Sequence, residues 1–166
     1  MIPIEANEKF SEAWKQLNII WAGFMISVCI FLLVSLATED QINIPVERSD
    51  SDIMRIIFFA LSVVFIFLSR FFVKYSLSGK GLKDLGKFIA GRKNQLPEHP
   101  AIARYRAAMV IALGMCQVIA VMAMVLFFAG NNRLDLYLLL MMSAAGILYH
   151  RPKKDEILSM AQELKK

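Results

Sequence analysis

The sequence predicts an all-α, polytopic membrane protein. Four transmembrane helices form two hairpins, and short interfacial helices lie on the cytoplasmic side. Three observations lead there. Hydrophobic residues make up 57 % of the 166-residue chain, above the roughly 45–50 % of soluble domains, and mean hydropathy is +0.52. The charged residues, 20 % of the total, fall between four long apolar runs. Positive residues collect on alternate connections, the bias that sets orientation in a bilayer. The apolar content excludes disorder, and having only two cysteines excludes a disulfide-stapled secreted scaffold.

A bilayer core of about 30 Å takes about 20 helical residues, whose backbone groups must pair among themselves. The first span covers about residues 17–37 without a charge. The second covers 53–73, with Arg55 and Arg70 near its two ends. The third, 107–129, is again uncharged. The fourth, 134–149, has only 16 residues, about 24 Å. It therefore borrows its flanks, with Asp135 at one headgroup level and His150 at the other. Span 1 is not read as a cleaved signal. A signal's apolar region is about 7–15 residues behind a basic leader. Here the run has 21 residues, and Glu5, Glu8 and Glu12 outnumber Lys9 and Lys15 ahead of it.

Charge asymmetry sets the topology. Between spans 1 and 2 stand Glu39, Asp40, Glu47, Asp50 and Asp52 against Arg48. The turn between spans 3 and 4 is Gly130-Asn131-Asn132-Arg133. The central connection and its edges carry Arg70, Lys74, Lys80, Lys83, Lys87, Arg92, Lys93, Arg104 and Arg106, and the tail adds five more cations. Residues 1–16, 74–106 and 150–166 are thus expected in the cytoplasm, in one membrane domain covering 1–166. The net charge of +5 becomes an orientation signal, not a nucleic-acid patch. Trp14, Tyr75, Tyr105 and Tyr149 fall at the four inner ends, where amphipathic rings prefer to sit. Trp21 alone lies deeper, on the same helical face as Trp14.

Three cytoplasmic stretches have helical character. Glu5 to Lys15 places Phe10, Trp14 and Leu17 at helical spacing and runs straight into span 1. Gly81 to Ala90 sets Leu82, Leu85 and Ile89 apart from Lys83 and Lys87. With Arg70 and Lys74, these lysines are the expected contacts to anionic inner-leaflet lipids. After Pro152, Ile157, Leu158, Ala161 and Leu164 form one stripe.

Chemistry is sparse. No ionisable residue lies deep within a span, and such a residue is the usual mark of an ion path or proton relay. Gln117 is the one strongly polar side chain at membrane depth. Ser27, Ser62 and Ser143 stand near the midpoints of the other spans, so a polar belt is expected in which Gln117 bonds one or more serines. Each such bond contributes about 0.6 kcal/mol, which makes the belt structural. Ala108, Ala112, Cys116 and Ala120 repeat every four residues and form a ridge that admits a neighbouring helix closely. Gly23 and Ser27 on span 1, and Ser143-Ala144-Ala145-Gly146 on span 4, have the same character.

Met115, Cys116, Met122, Met124, Met141, Met142 and Cys29 raise copper, whose Cu(I) form takes soft ligands. The spacing of a Met ladder or Cys-x₂-Cys loop is missing, and Met is an ordinary filler of apolar cores. His99 and His150 lack a nucleophile or second ligand at recognisable spacing and read as polar surface. No metal, cofactor or catalytic residue is expected, and the chain is not read as an enzyme.

The stretch Ala112-Leu113-Gly114-Met115-Cys116-Gln117 through Phe127-Phe128-Ala129-Gly130, followed by Tyr149-His150-Arg151-Pro152, resembles uncharacterised small bacterial membrane proteins with four spans. Their third helix is similar to that of ATP-synthase proteolipids. The match covers about a quarter of the chain. Gln117 stands where the proteolipid helix would carry its proton-binding acid, and an amide cannot exchange a proton near neutral pH. The resemblance therefore implies related packing and not rotary proton transfer. The resulting expectation is a non-catalytic structural or accessory subunit of a bacterial inner membrane, with both termini cytoplasmic. It packs through its small-residue faces as a homo-oligomer or in a larger membrane complex. The alternative is a small transporter or channel for a neutral or lipid-like solute.

Overall fold

The computed structural model describes residues 4–38, 48–77, 100–130 and 132–153. Their backbone forms four helices: α1 (Ile4–Thr38), α2 (Arg48–Leu77), α3 (Pro100–Gly130) and α4 (Arg133–Tyr149). Three contain a stretch long and apolar enough to cross a membrane: Trp14–Thr38, Asp52–Tyr75 and Tyr105–Gly130. These are compatible with a membrane-embedded protein. The fourth helix has 17 residues, about 25 Å, and is shorter than such a stretch. As expected, the polar segment before the first apolar run continues into it, and α1 is one helix of 35 residues. Pro100 opens α3, a position where its missing N–H is no loss and its fixed φ suits the helix. The helices expected around residues 81–90 and beyond Pro152, with Lys83 and Lys87, lie outside the described residues.

α3 is the hub. It packs on α1, α2 and α4, while α1 and α2 share no extended contact with each other. Consecutive in the chain, they do not pair as a hairpin but flank the α3–α4 pair. Burial agrees: 44 % of the apolar stretch of α3 is buried, against 11 % in each of α1 and α2.

The inward positions, buried or partly buried, recur at alternating three- and four-residue steps. On α1 they are Leu17, Trp21, Phe24, Val28, Phe31 and Ser35. On α2 they are Phe58, Ser62, Phe65 and Ser69, and on α4 Leu136, Leu139, Ser143, Gly146 and His150. A 3.5-residue repeat is that of bundle helices packed at small crossing angles. Two of the inward serines bond within their own helix: Ser62 donates to the Phe58 carbonyl and Ser69 to that of Ile66. They therefore pack as small side chains.

The opposite faces are as apolar as the core. Ile19, Ile26, Leu33, Ile56, Phe67, Phe71 and Met141 are all more than half exposed. A contiguous apolar surface of this kind marks a membrane or protein contact. Gly23 was expected at a close helix contact but stands on this outward side, and a Cβ added to it would meet no atom within 4 Å.

Candidate functional site

One end of the bundle carries a cationic cleft, and the last turn of α4 builds it. A helix leaves its final carbonyls without intrahelical partners. Here the Gly146 carbonyl accepts from the His150 backbone N–H and that of Leu148 from the Arg151 N–H. The Ile147 carbonyl accepts from Trp21 Nε1 at 2.8 Å. The deeper tryptophan of α1 is thus a cap for α4. Arg106 of α3 donates to Gln16 of α1 at 3.2 Å at the same end.

His150, expected at the polar surface, is placed differently. It is 8 % exposed, a buried residue and not polar surface. The one proton of the Ser69 hydroxyl is committed to the Ile66 carbonyl at 2.8 Å. Ser69 Oγ therefore accepts from His150 Nε2–H, 3.1 Å away, joining α2 to the end of α4. Burial pushes the imidazole below its ordinary value near 6.5, and the Arg70 guanidinium adds to the shift. The ring is neutral at pH 7.

Around this bond lies a cavity of about 440 Å³. Its apolar floor is Val73 of α2 with Ala108 and Met109 of α3, and its aromatic walls are Tyr105 and Tyr149. Four cations border it: Arg70 and Lys74 from α2, Arg151 and Lys153 from the segment after α4. Its lining includes no carboxylate among the described residues. The Arg70 guanidinium carbon lies 4.0 Å from the centre of the Tyr149 ring, and that of Arg151 lies 5.8 Å from that of Trp21. Arg70, expected with Lys74 at a lipid headgroup, thus meets a partner from α4 that sequence spacing could not reveal. Tyr105, expected at the interface, is 4 % exposed and forms a wall.

The expected polar belt does not form. Ser27 donates to the Phe24 carbonyl, Ser62 to that of Phe58 and Ser143 to that of Cys116. The two amide atoms of Gln117 are buried without a hydrogen-bond partner among the described residues. Short hydroxyls reach backbone carbonyls one turn back or across a tight helix contact, and none reaches the amide. The interior joint is instead Ser143 on Cys116, 2.8 Å apart. The ridge of Ala108, Ala112, Cys116 and Ala120 is wholly buried. A Cβ placed on Gly146 would come within 2.7 Å of Cys116 Sγ, so α3 and α4 touch there through their smallest side chains. Cys29 is exposed and Cys116 buried.

At the far end Asp135 is buried. Arg55 places a guanidinium nitrogen 2.9 Å from one carboxylate oxygen, and Asn132 Nδ2 donates to the other at 2.9 Å. Asn132 also caps α4, accepting from the Leu134 N–H. Both charges of this ion pair were visible in the sequence as span-edge residues; their meeting across two helices was not.

Comparisons with protein-family models, curated proteins and solved structures gave no match to this chain.

Proposed function

We propose that the chain is a four-span protein of a bacterial inner membrane and serves there as a non-catalytic structural or accessory subunit. α4 is the shortest span and crosses alongside α3, its Asp135 neutralised by Arg55. Both termini and the central connection are cytoplasmic, which puts Arg70, Lys74, Arg151 and Lys153 at the inner headgroup level, where positive charge is favoured.

The observation that carries the accessory role is the dry interior. Cys116, Ile119, Ala120 and Ala123 of α3 and Leu136, Leu139 and Ser143 of α4 have no exposed surface. A solute route along this contact would need convergent polar groups. Ser143 there donates to the Cys116 backbone carbonyl, and the Gln117 amide is sealed from solvent. The outer apolar surface of α1 and α2 is suited to other helices as well as to lipid.

Native mass after gentle extraction from the source membrane tests this. The expected result is a complex containing a second, different subunit; a bare monomer overturns the accessory role. Water-soluble thiol reagents should leave Cys116 unlabelled in intact membranes. Rapid labelling would favour a solute path in place of a packed joint.

A further inference from the structure

We propose that the cleft bordered by Arg70, Lys74 and Arg151 is a binding site for a phosphate group carrying two or more negative charges, as in an anionic phospholipid headgroup. The inference rests on this end of the bundle lying at the inner face of a membrane.

Three features point the same way. First, the cations come from two separate parts of the chain, α2 and the segment after α4, yet converge on one cavity. A cation in the last turn of a helix complements its dipole, which accounts for Lys74 at the end of α2. Dipoles do not account for Arg70, placed a full turn earlier and held over Tyr149 at 4.0 Å. A cation–π contact holds this guanidinium at the cavity, and its planar fork of N–H donors suits a phosphate.

Second, the cavity of about 440 Å³ lies within the roughly 300–1,000 Å³ of small-molecule sites. That is more room than a mere gap between charged side chains. Third, its floor is apolar and its rim cationic. An amphiphile needs that order, with phosphate at the rim and glycerol and first methylenes over Val73 and Met109. Basic pockets between helices on the inner side are where doubly charged headgroups are held. A free phosphate would use the rim and leave the floor bare.

The test uses the full chain purified in a neutral detergent, with phosphatidic acid, phosphatidylcholine or inorganic phosphate added and retention read by native mass spectrometry. The expected result is retention of phosphatidic acid and not phosphatidylcholine. Excess inorganic phosphate should displace it weakly if the acyl part contributes. Full displacement at equal concentration would assign the site to soluble phosphates. Each cation near an anionic headgroup contributes roughly fivefold, so Arg70→Gln/Lys74→Gln should weaken phosphatidic acid binding about thirtyfold and Arg151→Gln about fivefold. Arg133→Gln, the same charge change on the first residue of α4 at the other end, should leave it unchanged.

Equal retention by the parent and the double variant, or equal weakening by Arg133→Gln, overturns the proposal. Thermal unfolding of each variant separates lost binding from lost folding. The native mass of the membrane complex is an independent readout, so failure here leaves the accessory role standing.

Discussion

The contact between α3 and α4 can be tested by crowding and then relieving it. A methyl group at position 146 would stand 2.7 Å from Cys116 Sγ and 3.4 Å from its Cβ. Favourable separations between carbon atoms are about 3.5–4.0 Å. The second approach is nearly tolerable; the first is an overlap. Cys116 has no exposed surface, and a helical side chain has few alternative rotamers, so the helices must part. Overpacking of this size costs about 1–3 kcal/mol, against a gain of about 1 kcal/mol from replacing glycine by alanine in a helix. Gly146→Ala should therefore destabilise the protein by up to about 2 kcal/mol. In a Cys116→Ala background the sulfur is gone, and the same substitution should be neutral or stabilising by up to about 1 kcal/mol. The cycle of four proteins, unfolded by SDS titration in mixed micelles, should give a favourable coupling of about 1–3 kcal/mol. Additivity within about 0.5 kcal/mol would refute the contact and with it the packed-joint account of α3 and α4.

Three further outcomes are expected. Gln117→Leu keeps the volume and removes two unpaired buried polar atoms, so it should raise stability by about 1–2 kcal/mol; a loss measured in the same titration would mean the amide has a partner. His150 has a folded-state pKa below its ordinary value near 6.5, so the unfolded chain binds a proton that the folded chain resists. Stability should thus be flat in this respect above about pH 7 and fall as pH drops through about 6.5. The unfolding midpoint of His150→Gln should lack that slope. Arg55→Met leaves the carboxylate of Asp135, 3 % exposed, without its cation and should cost about 3 kcal/mol. The double variant with Asp135→Leu should recover most of that loss in thermal unfolding.

The helices were legible in the sequence because length and apolarity alone mark them. The three long apolar stretches lie within a few residues of the expected bounds, and α1 continues through its polar start as expected. The inward faces were not. In a soluble helix, polarity distinguishes core from surface; here Ile19 and Phe67 point outward and Leu17 and Phe65 inward. Polarity carries no signal when both surroundings are apolar. The usable trace was spacing, with Ser62 and Ser69, or Ser143 and His150, seven residues apart. Of the cleft, Arg70 and Lys74 could be found by their place near a span end. Their convergence with Tyr149 and Arg151, from a distant part of the chain, depends on how α4 packs, which spacing does not encode. The polar belt failed for a related reason. Equal depth in four helices does not imply proximity, and a serine's short side chain reaches the nearest carbonyl first.

The absence of an extended contact between α1 and α2 has a bearing on how the chain is assembled. A ribosome delivers α1 and α2 first, and in a bilayer each satisfies its own backbone. Neither then has a partner: their inward faces, with Trp21 and Phe24 on one and Phe58 and Phe65 on the other, are matched to a helix not yet made. For that interval the two lack the helix on which both pack. The arrival of α3 gathers both at once, and α4 closes the bundle through the Trp21 and Ser69 bonds at its end. A chain stopped after residue 77 would thus be inserted but unassembled, exposing two unmatched helix faces to the quality-control proteases of its membrane.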